Sequence, residues 1–135
     1  MKLKDIMTTN AECCEPSAPI AEIAGKMRDY NVGSIPVCEN GNLTGIVSDR
    51  DIVIRCVAEN ETDAAARDIM STQMVTGRPD MSAEEAGDLM AEHQIRRLPI
   101  VEDGRLVGIV ALGDLSVSNA DEKAGEALSE ISKPA

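Results

Sequence analysis

Hydrophobic and polar positions follow a fixed order along the first half of the chain. Residues 19–31 (PIAEIAGKMRDYN) are apolar at every third or fourth position, which predicts an amphipathic helix. Two short runs rich in β-branched residues follow, at 34–38 (SIPVC) and 43–48 (LTGIVS), and they predict strands. The residues between them, ENGN, contain an Asn-Gly pair that is typical of a tight hairpin turn. A second helix is predicted over 49–59 (DRDIVIRCVAE).

The same order recurs in the second half of the chain. When DIMTT (5–9) is aligned with DIMST (68–72), the two halves align without a gap, and ENGNLTGIV is matched with EDGRLVGIV. The second copy predicts a helix over 82–94, which begins with the capping-box residues Ser82 and Glu85. Its strands are predicted at 97–101 and 106–111, and its shorter second helix at 112–118.

This internal repeat predicts an α/β (α+β) fold made of two β-β-α repeats. Residues 1–60 form the first repeat, 61–119 the second, and 120–135 a weakly helical tail. Each repeat has a short helical or extended lead-in at DIM, and residues 59–66 are the predicted linker. Because two repeats are too few for a solenoid, we expect them to pack face to face about a pseudo-twofold axis.

Composition and charge limit the classes of function that the chain can have. The chain has 135 residues and no Phe or Trp, so its core must consist of Ile, Val, Leu, Met and Ala. A net charge of −11 argues against nucleic acids and acidic membranes as general partners, because both attract positive proteins. No apolar run reaches the ~18 residues that span a bilayer, and the first ten residues lack the apolar stretch of a signal peptide. A cytoplasmic location is expected.

The first hairpin is followed by charged and hydroxyl side chains, in the sequence GIVSDRD (45–51). Ser48 or Asp49 would cap the following helix, where unpaired N–H groups and the positive end of the helix dipole suit a phosphate. Asp51 offers two carboxylate oxygens that can accept from the hydroxyls of a ribose. Ordinary helix capping is the alternative interpretation of these residues. The recurrence of an aspartate at the matching place, Asp114, favours a nucleotide site.

Two arginines support an anionic ligand. Arg96 and Arg97 are adjacent, so both cannot point into a core, and a guanidinium matches phosphate oxygens. The alternative is a solvated pair that bridges to nearby carboxylates. His93, at the end of its helix, is assigned to the helix dipole, and Tyr30 fills the equivalent place in the first repeat.

These motifs together resemble a known family. DIM at each start, IPV and LPI, the N-G and D-G turns, and the endings GIVSDRD and GIVALGD resemble CBS domains, named after cystathionine β-synthase. The pair resembles a Bateman module, and most closely the stand-alone bacterial pairs of the hypoxic-response type. The resemblance covers about residues 1–118. In the second ending Ala111 replaces the hydroxyl residue, which weakens the expected phosphate binding there.

The resemblance implies a non-catalytic sensor that binds AMP, ADP or ATP in clefts between the repeats. It requires no cofactor, since the nucleotide is a regulatory ligand, and it implies a homodimer and an unidentified regulated protein. The main cleft would comprise Ile46, Ser48, Arg50, Asp51, Met74, Val75, Arg96, Arg97 and Pro99. The second, weaker cleft would comprise Ala11, Glu12, Gly33, Pro36, Ile109, Ala111 and Asp114.

The cysteines provide an alternative function. Cys13, Cys14, Cys38 and Cys56 show no C-x-x-C spacing and only one His accompanies them, so no metal site is predicted and reduced, buried thiols are expected. A thiol-redox or metal-responsive sensor that uses Cys13 and Cys38 remains the competing hypothesis, because a disulfide between them is conceivable. An enzyme is not expected, since no Cys-His, Ser-His or paired-acid arrangement is visible.

Overall fold

Both predicted hairpins form, each in a separate unit of the fold. The computed structural model describes residues 1–117 and 129–131. One unit is the unbroken stretch Glu12–Met74, the continuous unit. The other combines Met1–Ala11 with the chain from Val75 onward and is the split unit. The predicted mixture of helices and strands, built on two hairpins, is confirmed.

The continuous unit contains the helices and strands of the first repeat. They are α1 (Ile20–Tyr30), β1 (Ser34–Glu39), β2 (Asn42–Ser48), α2 (Asp49–Asp51), a π-helical segment (Ile52–Val57) and α3 (Ala66–Ile69). The second predicted helix therefore begins at the expected residue but winds as a π-helix after its first turn, and it ends two residues earlier than predicted.

The split unit repeats this order from two pieces of the chain. After a 3-10 turn at Leu3–Asp5 it contains α4 (Ala83–His93), β3 (Arg97–Glu102), β4 (Arg105–Ala111) and α5 (Leu112–Val117). Most of the predicted tail lies outside the described residues. Ser129–Ile131 are helical, and Ile131 packs against the core of the split unit.

The turn residues explain both hairpins. Asn40 and Gly41 have φ values of 54° and 85°, and Asp103 and Gly104 have 52° and 81°. A tight hairpin turn of the I′ type needs positive φ at both central residues, which Asn, Asp and Gly adopt most readily. Each hairpin is antiparallel, as the Asn-Gly and Asp-Gly signals predict.

The core of each unit is aliphatic, as the composition predicts. Fully buried side chains of the continuous unit are Ile23, Ile35, Val37, Val47 and Ile69. Those of the split unit are Leu3, Met90, Leu98, Ile100, Val110 and Leu115. Within the described residues, no helix is long and apolar enough to cross a bilayer.

The lead-in segments join the hairpins in an unexpected way. Ser71 exchanges two backbone hydrogen bonds with Ile46, of 3.0 and 2.9 Å, inside the continuous unit. Thr8 does the same with Ile109, at 2.9 and 3.0 Å, inside the split unit. The lead-in of each sequence repeat thus packs on the hairpin of the other repeat. The predicted repeats meet between residues 60 and 61, whereas the chain passes from one packed unit to the other between residues 11 and 12 and again between 74 and 75.

Two glycines permit this packing. A Cβ on Gly45 would lie 2.5 Å from Met70 Sδ and 3.0 Å from the Ser71 carbonyl oxygen, and a Cβ on Gly108 would lie 2.7 Å from Met7 Sδ. Contacts this short do not occur in folded proteins without displacement of one partner. The G of each GIV is therefore required for the close approach of a lead-in segment.

Gly45→Ala is expected to lower the free energy of unfolding by about 1–3 kcal/mol, because the added methyl overpacks the contact with Met70 and Ser71. Chemical denaturation followed by far-UV circular dichroism measures it. Gly113→Ala is the control, since a Cβ at Gly113 meets nothing within 4 Å. Equal denaturation midpoints for the two variants would show that the lead-in segment does not lie on Gly45.

Candidate functional site

The end of β2 is closed by a reciprocal pair of hydrogen bonds. Ser48 is the N-cap of α2, and its Oγ accepts from the Asp51 backbone N–H at 3.1 Å. In return Asp51 Oδ2 accepts from the Ser48 backbone N–H at 2.8 Å. This is a capping box, so the capping interpretation of these residues is confirmed, with Ser48 rather than Asp49 as the cap.

Capping does not exhaust the acceptor capacity of Asp51. Its Oδ1 lies 3.8 Å from Arg55 Nε, in a pair whose Arg55 side chain is 52% exposed. A contact of that length and exposure is weak. A carboxylate has two oxygens with about four lone-pair sites, and the Ser48 N–H uses one of them. The Asp51 side chain is 15% exposed, so the remaining oxygen can reach a bound molecule.

The end of β4 repeats half of this arrangement. Asp114 Oδ2 accepts from the Ala111 backbone N–H at 2.8 Å, the same length as in the continuous unit. Ala111 has no hydroxyl, so it cannot accept a hydrogen bond from the Asp114 backbone N–H as Ser48 Oγ accepts one from Asp51. The two strand ends thus share the carboxylate and differ in the hydroxyl, as the sequence predicts.

Arg97 distinguishes the split unit further. It lies opposite Ala111 in the hairpin, whereas in the continuous unit Ser34 lies opposite Ser48. Burial lowers the pKa of the Arg97 guanidinium. The negative charge of the Asp114 carboxylate raises that pKa, but by less. A half-buried cation therefore stands near the Asp114 carboxylate. Arg96, its neighbour in sequence, is exposed.

The residues predicted for the main cleft are divided between the units. The continuous unit holds Ile46, Ser48, Arg50, Asp51 and Met74, and the split unit holds Val75, Arg96, Arg97 and Pro99. The bridge between Ser71 and Ile46 places the segment that leads to Met74 beside β2. Arg50 is exposed, and its backbone N–H donates to Asp49 Oδ1 at 2.8 Å. The grouping of the two sets in one cleft remains a prediction.

The second predicted cleft is divided in the same manner. The split unit holds Ala11, Ile109, Ala111 and Asp114, and the continuous unit holds Glu12, Gly33 and Pro36. The strand register pairs Pro36 with Ile46 and Pro99 with Ile109. Each proline is thus the cross-strand neighbour of the isoleucine that the sequence analysis assigned to the other cleft. This grouping, too, remains a prediction.

Two basic residues were missed by sequence reasoning. Lys26 Nζ donates to Glu12 Oε1 at 2.6 Å, and this hydrogen bond lowers the pKa of the Glu12 carboxyl. Arg55 donates to the carbonyl oxygens of Ile69 and Met70 at 3.2 and 3.3 Å, which ties the π-helical segment to the lead-in. The spacing of Asp51 and Arg55, four residues apart on one helix face, was the available signal. Lys26 and Glu12 are distant in sequence, and no pattern pairs them.

A cavity of about 560 Å³ lies elsewhere in the split unit. It is lined by Lys4, Met7, Arg78, Pro79, Asp80, Val101, Glu102, Asp103 and Val107. None of these residues was predicted to bind a ligand. Glu102 is the last residue of β3 and Asp103 lies in the hairpin turn, at the opposite end of β4 from Asp114. Among the residues that the structure describes, no group of three or more His, Cys, Asp and Glu side chains is arranged to hold a metal ion.

The repeated hairpin with a capped, acidic strand end has a counterpart among known families. A family model described as CBS domain matches residues 3–57 and 66–118. The chain belongs to the CBS domain family. The predicted resemblance to a tandem CBS pair is therefore confirmed.

Individual proteins agree with this assignment. The CBS domain-containing protein YhcV of Bacillus subtilis is 50% identical, over 96% of this chain and 94% of that protein. Hypoxic response protein 1 of Mycobacterium tuberculosis is 32% identical, over 84% of this chain and 81% of that protein. Among solved structures, CBSX2 in complex with AMP has a TM-score of 0.78 and 25% identity, and the match covers 90% of this chain and 98% of that one.

The difference between the two CBS strand ends leads to a stability prediction. Ser48→Ala should lower the free energy of unfolding by about 1 kcal/mol, because the variant loses the cap that accepts from Asp51. Ala111→Ser should raise it by up to a similar amount, since the new hydroxyl can accept from the Asp114 N–H. Thermal unfolding of the two variants beside the wild type tests both. A loss of stability in Ser48→Ala together with a gain in Ala111→Ser would show that the two strand ends use the same capping geometry. A loss of stability in Ala111→Ser would contradict this.

Proposed function

We propose that this CBS pair is a non-catalytic regulatory module that binds an adenosine nucleotide at its two strand ends. The observation that carries the proposal is the Asp51 carboxylate, 15% exposed, which caps a helix with one oxygen and keeps acceptor capacity on the other. Asp114 repeats the capping contact in the split unit. A carboxylate with a remaining acceptor is suited to the adjacent hydroxyls of a ribose.

Apolar neighbours provide a surface for a base. Ile46 and Met74 are half-buried, and the Ser71 bridge to Ile46 brings the segment of Met74 along β2. In the split unit Ile109 and Ala11 take the corresponding places, with the Thr8 bridge to Ile109. Binding sites for small ligands combine such apolar walls with a few placed polar groups. The AMP complex of CBSX2 supports an adenine nucleotide as the ligand.

The phosphate requires positive charge or hydrogen-bond donors, because the chain as a whole carries a charge of −11. The Ser48 hydroxyl is one donor. Exposed Arg96 and half-buried Arg97 are the basic residues that the sequence analysis assigned to phosphate, and exposed Arg50 is a further basic residue of the predicted main cleft. A guanidinium suits this role because its donors match phosphate oxygens in pairs.

The two strand ends are unequal in this proposal. The Asp51 end has a hydroxyl at Ser48, whereas the Asp114 end has Ala111. A neutral hydrogen bond contributes about 1 kcal/mol, which corresponds to about fivefold in affinity. We therefore assign the tighter binding to the Asp51 end. Regulation would follow if the nucleotide binds one conformation more tightly than another and a partner protein distinguishes the two.

Calorimetric titration with AMP, ADP and ATP tests the assignment. Asp51→Asn retains an oxygen that can accept from the Ser48 N–H but removes the charge, so the tighter binding should weaken by about 10–100-fold while the fold persists. Asp114→Asn should leave the tighter binding nearly intact. Asp68→Asn is the matched control, because Asp68 Oδ2 accepts from the Ala65 N–H at 2.9 Å in the same capping geometry, at the start of α3 and not at the end of a strand.

Two outcomes contradict the proposal. If Asp51→Asn binds as tightly as Asp68→Asn, the ligand does not use the strand end. If millimolar AMP, ADP and ATP all leave the melting temperature of the wild type unchanged, adenine nucleotides are not the ligand. A ligand at one hundred times its Kd would stabilise the folded state by about 2.7 kcal/mol.

A homodimer is the second part of the proposal. Val53, Ile54 and Val57 of the π-helical segment are 56%, 49% and 66% exposed. Apolar side chains grouped in this way on one helical segment favour contact with another protein surface. The stand-alone CBS pairs that this chain resembles are expected to dimerise through their helical faces, so a second copy is the proposed occupant.

Val57→Asp should convert a dimer to a monomer, because a carboxylate cannot be desolvated at an apolar interface without a partner. Sedimentation at several protein concentrations measures the mass. Thr62→Asp adds the same charge at an exposed polar position of the same unit and should leave the dimer intact. A wild-type protein that sediments only as a 14.4 kDa monomer would contradict the dimer.

A further inference from the structure

Two of the four cysteines lie side by side in the continuous unit. Residues 13–15 run parallel to β1, and two backbone hydrogen bonds hold them there, from the Cys14 N–H to the Pro36 oxygen and from the Cys38 N–H to the Cys14 oxygen, both 2.9 Å. The bridge pairs Cys14 with Val37, so the side chains of Cys13 and Cys38 lie on the same face of the paired segments. Both thiols are free. The backbone on either side of the pair is thus fixed in position.

The other two cysteines have different surroundings. Cys14 and Cys56 belong to the apolar core, and they are 5% and 4% exposed. Cys56 donates from Sγ to the Glu61 carbonyl oxygen at 3.2 Å. Cys38 is buried and lies outside that core cluster, beside Cys13. Cys13 is half-buried, so one thiol of the pair is accessible to a reagent in solution.

Lys26 fixes the accessible cysteine from the other side. Its Nζ donates to the Cys13 carbonyl oxygen at 3.1 Å and to Glu12 Oε1 at 2.6 Å. The ammonium group therefore lies beside the Cys13 backbone. The thiolate form of a cysteine attacks a disulfide, and Cys13 is the accessible thiol of the pair.

We propose that Cys13 and Cys38 form a dithiol that a low-molecular-weight disulfide oxidises reversibly to an intramolecular disulfide. Cys13 loses its proton to water and attacks one sulfur of the reagent. The reagent S–S bond breaks, and one of its halves leaves as a thiol after taking up a proton. Cys38 then loses its proton and attacks Cys13 Sγ, which releases the second half as a thiol. Two electrons pass from the cysteines to the reagent.

Burial and the neighbouring Cys13 raise the pKa of the Cys38 thiol to about 12. Cys38 is therefore protonated at neutral pH and suited to the second step rather than to the first attack. This division of roles follows the exposure of the two residues. The proposed reaction does not depend on nucleotide binding, and its test reads a covalent change.

The experiment incubates the full chain with glutathione disulfide and measures the intact mass. The expected product is lighter than the reduced protein by about 2 Da, and reductant restores the original mass. Trypsin without reduction should then release one linked pair of peptides, 5–26 and 29–50, which end at Lys26 and Arg50. Because peptide 5–26 contains both Cys13 and Cys14, variants must identify the partner.

Cys13→Ser and Cys38→Ala should each abolish the loss of mass, and Cys14→Ser should retain it. Circular dichroism confirms that each variant is folded before oxidation. A wild-type protein that gains only a glutathione group, or none, would overturn the proposal. A linked peptide pair that survives in Cys13→Ser and disappears in Cys14→Ser would also overturn it, because Cys14 would then be the partner of Cys38.

Discussion

The contact between a lead-in segment and a glycine of a second strand determines the form of both units. Met70 covers Gly45, and Met7 covers Gly108, at distances that leave no room for a Cβ. Once the segment is seated, Ser71 and Thr8 complete paired hydrogen bonds with Ile46 and Ile109. Each isoleucine lies two residues before the last residue of its strand, close to the candidate binding residues. The packing of the lead-in and the placement of the site are therefore consequences of one steric constraint.

At the strand ends, capping and binding are compatible uses of the same carboxylate. The capping box orders Ser48 and Asp51 before any ligand arrives, so the acceptor oxygen that remains is held in place and binding need not order it. The same reasoning explains why the two ends differ. Asp114 is ordered by one hydrogen bond instead of two, and a half-buried arginine stands near it. The presence of Ala111 at the position that matches Ser48 is the basis for the proposed inequality of the two sites.

Local signals predicted much of this structure. The Asn-Gly and Asp-Gly pairs specified both hairpin turns, and the helical spacing over 19–31 and 82–94 gave α1 and α4 within a few residues. The lead-in exchange could not be predicted, because DIM is identical in both repeats and either hairpin offers it a matching glycine. The π-helical winding after Asp51 has no local signal that separates it from an α-helix. The pairs Glu12–Lys26 and Arg97–Asp114 depend on distant residues that only the folded chain brings together.

The central claim is that a nucleotide binds at the strand ends rather than elsewhere on the chain. A heteronuclear NMR titration with AMP tests it directly, because each backbone amide reports on its own surroundings. The account predicts that the largest shifts occur at the amides of 46–51 and 71–74, followed by those of 109–114. Shifts centred instead on Lys4, Arg78 and Asp103, which line the 560 Å³ cavity of the split unit, would contradict it.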